Sequence, residues 1–164
     1  SISKMDVIKG KLAQMIIQTY TADSMIYRTI GLMQEGINIL DKSSKDYYLN
    51  LGKTMEEYAI ESSMSKIYGS EAMSYVIDEG IQIMGGYGFM EEYPLAEVYR
   101  SNRINRIWEG TNEINRQIIT GYMIKKTLME DLPVRESIKK IDDFLDNESI
   151  HTEFFFNSLS CGLS

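Results

Sequence analysis

The chain has 164 residues, enough for one domain with a sizeable core and too few for two comfortable ones. A formal net charge of −7 argues against a nucleic-acid partner, which needs clustered excess Lys and Arg, but leaves room for an anionic small molecule held by a few local cations. One cysteine, Cys161, and one histidine, His151, preclude an intrachain disulfide and leave little material for a zinc site or a Ser–His–Asp triad, so no metal is expected.

The lone cysteine fits a reducing compartment. No run approaches the roughly twenty apolar residues of a membrane-spanning helix, so no transmembrane segment is expected, and the opening residues show no signal-peptide pattern. Ser1 rather than Met opens the chain, which is expected to be processed or cut from something longer. The abundant Met and Tyr suit irregular gaps and rings with wet polar tips.

From Ile2 to about Gln34, Met5, Ile8, Leu12, Met15, Ile16, Ile26, Ile30 and Met33 recur mostly at three- and four-residue steps, which predicts a helix with these residues on its apolar face. Asp41 to Ser44 is a polar connector offering N-cap oxygens. A second helix is expected from about Asp46 to Met84, with Leu51, Met55, Ala59, Ser62, Ala72, Val76, Gly80 and Ile83 inward. At about 58 Å this exceeds a typical globular helix, so a break near Gly69 is expected. Two long antiparallel helices begin an up-and-down bundle.

Gly85-Gly86-Tyr87-Gly88 must leave the helix, because glycine serves positive φ and close backbone approach. Pro94 suits the first turn of a short helix through about Arg100. Ser101 to Gly110 reads as irregular. Thr111 is a good N-cap for a further helix, with Glu113 in its first turn and Lys125 and Lys126 near its end. Pro133 ends that run. Ser137 to Asp146 reads as another helix, and the tail from Asn147 has only a short apolar patch, Phe154 to Phe156.

Three features could carry chemistry. Glu109 lies between Trp108 and Gly110; a water-poor pocket there would raise its pKa and make it a better base. Taken alone, a loop glutamate is more often a solvated charge. The turn Gln82-x-x-Gly85-Gly86-x-Gly88 follows a helix rather than a strand, so it is not a dinucleotide fingerprint, and alone it reads as a C-cap. Arg100, Arg103 and Arg106, three residues apart, could hold a phosphate or carboxylate, although a solvated salt-bridged face is commoner.

As an ordered set these parts are more specific. Gly69 to Arg116, with QIMGGYGF and EGTNEINR separated by YRSNRI, resembles the C-terminal helical domain of the acyl-CoA dehydrogenase family, closest to long- and very-long-chain members. ISKMDVIKGKLAQM resembles the opening of that domain's first helix, so the likeness covers about Ser1 to Leu132. It implies an all-α, up-and-down four-helix bundle over 1–132 and a tail over 133–164, the tail being the possible start of a further helical region.

The resemblance implies that Glu109 is the base removing the α-proton of an acyl thioester while the β-hydrogen leaves as hydride to a flavin. It implies that Trp108 and Gly110 line the substrate site. Thr111, Asn112 and Glu113 would touch FAD, and Gln82, Ile83, Met84, Gly85 and Gly86 would contact the FAD of a neighbouring subunit. A flavin ribityl hydroxyl and the backbone N–H at the base position would polarise the thioester carbonyl. Acyl-CoA as substrate, electron-transfer flavoprotein as electron acceptor, and a homodimer or homotetramer are further implications. So is a cytoplasmic setting in a bacterium or the mitochondrial matrix in a eukaryote, the cytoplasm being favoured.

Ser101 stands where the family often has aspartate. The family's N-terminal helical and middle β domains, and an arginine-containing FAD segment, would lie before Ser1, so the chain alone is expected to be inactive. Some members carry the base on an earlier helix; glutamate at position 109 argues otherwise here. The alternatives are a non-catalytic oligomerisation module, against which the intact Glu109-Gly110-Thr111 speaks, and the equivalent domain of an acyl-CoA oxidase.

Overall fold

The computed structural model describes residues 2–145. Ser1, Asp146, the Phe154–Phe156 patch, His151 and Cys161 lie outside them. Among the described residues all regular structure is helical, as the all-α expectation requires. The chain divides into two compact units, Ser1–Tyr122 and Met123–Ser164, a division that falls upstream of the boundary expected at Leu132.

In the first unit a 3₁₀ turn, Ile2–Lys4, leads into α1, Asp6–Asn38, which runs about one turn past the expected end. The end of α1 lies close against the following arm: a Cβ on Gly36 would sit 2.8 Å from the Thr54 methyl, so a larger residue there would force the two to shift apart. The inward stripe of α1 is Ile8, Lys11, Met15, Gln18, Ala22, Met25 and Thr29, a strict four–three repeat. The expected apolar face is therefore corrected in part. Met5, Leu12, Ile16, Ile26 and Ile30 are exposed, because a repeat near 3.5 keeps only every other apolar ridge against one neighbour.

The single long helix expected next is two. α2 spans Tyr47–Glu57 and α3 spans Ala59–Met84, divided at Tyr58 rather than near Gly69, which lies inside α3. The Tyr58 amide bonds to Met55 O at 3.2 Å, a tightened closing bond that ends α2. Glycine's helix penalty at position 69, about 1 kcal/mol, is overridden by packing on either side, where Tyr68 donates to Gln18 Oε1 and Ser70 is buried. The connector's oxygens do not cap α2. Asp41 Oδ1 accepts from the Ser43 amide and hydroxyl, and Ser44 Oγ accepts from the Asp46 amide, so the oxygens close the turn on itself. The Ser43 hydroxyl and then its amide hold the Asp41 carboxyl below the usual range.

α1 and α3 are antiparallel. Lys11 pairs with Glu79, Tyr68 bonds Gln18, and Thr29 meets Ser65, so rising numbers on α1 meet falling numbers on α3. After α3, Gly85 breaks the helix at φ 60°, ψ −137°, and Gly86–Phe89 forms one further helical turn, α4. The glycine stretch thus leaves the helix at one residue, not four. α5, Pro94–Asn102, opens on its proline as expected and returns along α3: Leu95 faces Gly80, and Asn102 donates to Ser74 Oγ at 2.8 Å. The stretch expected to be irregular continues α5 to Asn102 and adds a 3₁₀ turn, Arg103–Arg106. α6, Asn112–Leu128, keeps the same sense, with Asn112 against Ser70 and Tyr122 donating to Glu56 at 3.0 Å. α1 and the α2–α3 arm run up and down, and α5 and α6, both opposed to α3, complete the bundle.

The interior is small and polar. The buried apolar residues are Ala72, Ile77 and Ala96; the buried polar ones are Thr29, Ser63, Ser70, Asn102, Asn112 and Asn115. Of the face expected on the second helix, Ala72 is buried and Met55 is exposed. In the second unit, Glu130 takes a left-handed conformation (φ 64°) after α6, and residues 134–145 form a helix, α7, behind Pro133.

Candidate functional site

The site is built on the turn that joins the 3₁₀ segment to α6. Ile107 and Trp108 amides both bond to Ile104 O, at 2.8 and 3.1 Å, and wind the chain tightly up to Glu109. Glu109 then adopts φ 52° and Gly110 φ 81°. Glycine takes this conformation freely, but a residue with a Cβ gives up on the order of 1–2 kcal/mol to do so. A glutamate held there must be over-determined by its surroundings, and such residues concentrate at functional sites.

The holding contacts come from α3 and from the first turn of α6. Gly110 O accepts from Lys66 Nζ at 2.8 Å and from Asn115 Nδ2 at 2.9 Å, filling both carbonyl lone pairs. Lys66 also donates to Asn112 Oδ1 at 2.7 Å, and Asn115 Nδ2 reaches Thr111 O at 3.0 Å. Asn112 is 2% exposed; its Nδ2 donates to Ser70 Oγ at 3.0 Å and to Glu71 Oε1 at 3.2 Å. Arg116 closes the cluster on Glu71 at 2.6 Å. Thr111 Oγ1 accepts from the Ile114 amide at 3.3 Å, the N-cap expected of it.

Two carboxylates, Glu71 and Glu113, are tuned toward ionisation. Burial pushes the Glu71 carboxyl up, but hydrogen bonds from Arg116 and Asn112 and the charges of Arg116 and Arg106 outweigh it, and the net shift is down. The Glu113 carboxyl is lowered, first by its own amide and then by the Thr111 hydroxyl. Glu113 sits in the first turn of α6, where the helix dipole also favours an anion.

Glu109, Gly110, Thr111, Asn112 and Glu113 are brought together, but not all point the same way. Glu109 and Glu113 are exposed, Thr111 is half-buried, and Asn112 turns inward with its amide engaged on α3. Trp108 is 53% exposed, so the described residues do not build the water-poor pocket expected around Glu109. Gln82, Ile83, Met84, Gly85 and Gly86 lie elsewhere. Ser70 marks the level of the Glu109 turn on α3, and Gly85 is roughly 22 Å further along that helix at 1.5 Å per residue. There a Cβ on Gly85 or Gly86 would meet nothing within 4 Å, so the turn presents open backbone.

The three arginines share one groove but differ in their partners. Arg100 pairs with exposed Glu91 at 2.6 Å, while Arg106 has a buried Nε without a hydrogen-bond partner. All three line a groove of about 530 Å³ with Glu71 and Asp78, a mixed-charge lining rather than a purely cationic one.

Sequence reading passed over Lys66, Ser70, Glu71 and Asn115. Asn112 and Asn115 carried a usable signal: two asparagines on one face of a helix start, at a spacing that must turn at least one inward, where buried amides demand partners. Lys66, forty-odd positions upstream, carried none.

Residues 1–123 match the family profile described as acyl-CoA dehydrogenase, C-terminal domain. A probable acyl-CoA dehydrogenase of Bacillus subtilis (strain 168) is 40% identical over 144 residues, covering 88% of this chain and 24% of that protein. The very long-chain specific acyl-CoA dehydrogenase of rat mitochondria is 41% identical over 118 residues, 72% of this chain and 15% of that protein. The crystal structure of an acyl-CoA dehydrogenase complexed with FAD from Bacillus anthracis superposes with a TM-score of 0.81 at 43% identity, covering 88% of this chain and 24% of that one. The chain thus spans about a quarter or less of the length of these relatives.

Proposed function

The chain belongs to the acyl-CoA dehydrogenase family through its C-terminal domain, and on that premise we propose that it supplies the catalytic base, Glu109, to a longer FAD-dependent enzyme that dehydrogenates a fatty acyl-CoA between its α and β carbons. The observation that carries this reading is the left-handed backbone of Glu109, a strained conformation held for an exposed carboxylate in the turn leading into α6.

In this reading the Glu109 carboxylate removes the α-proton of the thioester, and the Glu109 backbone N–H donates to the thioester carbonyl, stabilising negative charge as it develops there. Gly110, with no side chain, leaves room for the acyl chain beside the base. Trp108, half-exposed in this chain, would cover the bound substrate and exclude water. FAD, when bound, supplies the hydride acceptor for the β-hydrogen.

The residues present fit that cofactor. Open backbone at Gly85 and Gly86 admits close approach of a nucleotide, and Gln82, Ile83 and Met84 flank it at the end of α3. Thr111 and Glu113 lie on the outer side of the Glu109 turn, whereas Asn112 would contribute its backbone, its amide being committed inside. The two sets are roughly 22 Å apart along α3, which supports their serving different flavins in a homodimer or homotetramer. The exposed apolar residues of α1, among them Ile16, Tyr20, Tyr27 and Ile30, support such assembly.

Electron-transfer flavoprotein is the acceptor we assign to the longer protein, fatty-acid β-oxidation the process, the cytoplasm the compartment, and 1–132 the domain with 133–164 as its tail. Among the described residues no helix is long and apolar enough to cross a membrane. The test is anaerobic mixing of the full-length, FAD-loaded protein with palmitoyl-CoA. The flavin absorbance should bleach in the wild type and persist in Glu109→Gln; equal bleaching in both refutes the assignment. Residues 1–164 alone, given FAD and palmitoyl-CoA, should show no turnover.

A further inference from the structure

The carbonyl immediately after the base is held by a cation from a different part of the chain. Gly110 O has two donors, Asn115 Nδ2 and Lys66 Nζ. Asn115 belongs to the same helix start as the turn, so it closes the turn locally but does not fix where the turn stands in the molecule. Lys66 sits about two turns into α3 and reaches both Gly110 O and Asn112 Oδ1, at 2.8 and 2.7 Å. α3 is itself fixed to α1 near this level by the Tyr68–Gln18 hydrogen bond. Asn112 and Arg116 tie the start of α6 to Ser70 and Glu71 of α3, whereas Lys66 bonds the backbone of the strained turn itself.

We propose that Lys66 is a positioning residue for Glu109, its ammonium clamping the Gly110 carbonyl so that Glu109 stays in the left-handed conformation and its carboxylate stays in reach of the substrate α-carbon. This rests on the assignment of Glu109 as the base. A charged donor makes a stronger hydrogen bond than a neutral one. Without it, Gly110 O keeps only the local Asn115 bond, and Asn112 Oδ1 keeps only a long contact from Ser70 Oγ at 3.4 Å. Asn112 Nδ2 still ties the start of α6 to Ser70 and Glu71, but the Gly110 carbonyl loses its bond to α3, and Glu109 relaxes toward the ordinary negative-φ region, which swings its carboxylate away from the reacting atom. Misplacement on the order of 1 Å can cost a reaction about 10²-fold.

The experiment uses the full-length, FAD-loaded protein, mixed rapidly and anaerobically with palmitoyl-CoA, with flavin bleaching followed over a substrate series. Lys66→Met should lower the limiting rate by about 10- to 100-fold while the half-saturating concentration stays close to wild type. Lys66→Arg, which keeps a cationic donor, should recover most of that loss at equal flavin content. An unchanged limiting rate in Lys66→Met overturns the proposal. So does a loss that follows the loss of bound flavin and is not recovered by Arg, since that marks a purely structural lysine.

Where Lys66→Met yields no flavoprotein, Lys66→Gln carries the same measurement against Lys66→Arg, and failure of all three to hold flavin also overturns it. Glu109→Gln, run alongside, separates the two assignments. Bleaching at the wild-type rate in Glu109→Gln removes the base itself. A silent Glu109→Gln beside an unaffected Lys66→Met removes only the clamp.

Discussion

Two turns in the first unit depart from ordinary backbone, and they do so with different residues. At the end of α3, Gly85 takes φ 60° and is glycine; after the 3₁₀ segment, the residue at φ 52° is Glu109. The first turn has a shape to make, and glycine makes it without strain. The second could have been made the same way, since a glycine already follows at position 110. A glutamate there costs the fold on the order of 1–2 kcal/mol, and the carbonyl that follows it, Gly110 O, is held by Lys66 and the Asn115 amide. Strain opposed by a dedicated set of hydrogen bonds is what a functional side chain leaves behind, whereas a glycine turn records geometry alone.

Exchanging the two solutions tests the contrast. Glu109→Gly in the full-length enzyme should reduce kcat with an acyl-CoA by about 10²- to 10⁴-fold, the usual contribution of a positioned general base. Gly88→Ala comes next. Its Cβ would lie 2.8 Å from Ile81 O and 2.9 Å from Ile81 Cα, so backbone must move, and a loss of about 1–3 kcal/mol in stability is expected from thermal or denaturant unfolding. Gly85→Ala should cost a comparable amount for a different reason. Its Cβ meets no neighbour, so the whole penalty is the strained backbone, about 1–3 kcal/mol. Should Gly85→Ala prove neutral while Gly88→Ala is costly, the turn would be shaped by packing and not by φ.

Of these features the sequence made some plain and hid others for physical reasons. Positive φ at Gly85, the helix opening at Pro94 and the cap at Thr111 were legible because each needs a particular residue type on the spot. The division at Tyr58 was not, since no local breaker marks it and only the bonding of its amide reveals it. The stripe of α1 was half legible: period gave the helix, but which apolar ridge meets α3 depends on a partner the pattern does not name. Glu109 stood out through its neighbours, not through its backbone, because glutamate does not signal a left-handed conformation. The Lys66 clamp joins positions far apart in sequence and was beyond local pattern altogether.

Smaller effects sharpen the comparison further. Glu109→Gly should leave the protein as stable as wild type or more so, by up to about 1 kcal/mol, while activity falls; a site-directed gain of stability with loss of function is the mark of strain retained for use. A clear drop in melting temperature would mean that the Glu109 side chain supports the fold. The smallest effect is one of pH. Glu71 and Glu113 both have lowered carboxyl pKa values in the folded chain, so their contribution is present above the ordinary value of 4.5 and is lost as pH falls through their folded values. Because Glu113 is exposed and Glu71 is only half-buried, the loss should be slight and local. It should appear as a lower protection factor against amide exchange over Asn112–Arg116, each rate taken relative to the intrinsic rate at that pH, when pH is lowered below the ordinary carboxylate range, with protection in α1 unchanged.

Proton removal by Glu109 is read most directly at the α-carbon itself, through solvent exchange there as the bound substrate reacts forward and back. Full-length protein is incubated with α-deuterated palmitoyl-CoA in ordinary water, and loss of the label from recovered substrate is followed by mass spectrometry. Wild-type protein should wash out the α-deuterium, and Glu109→Gln, binding the same thioester with unchanged affinity, should retain it. Washout by Glu109→Gln at the wild-type rate would contradict the account and place the base on another residue.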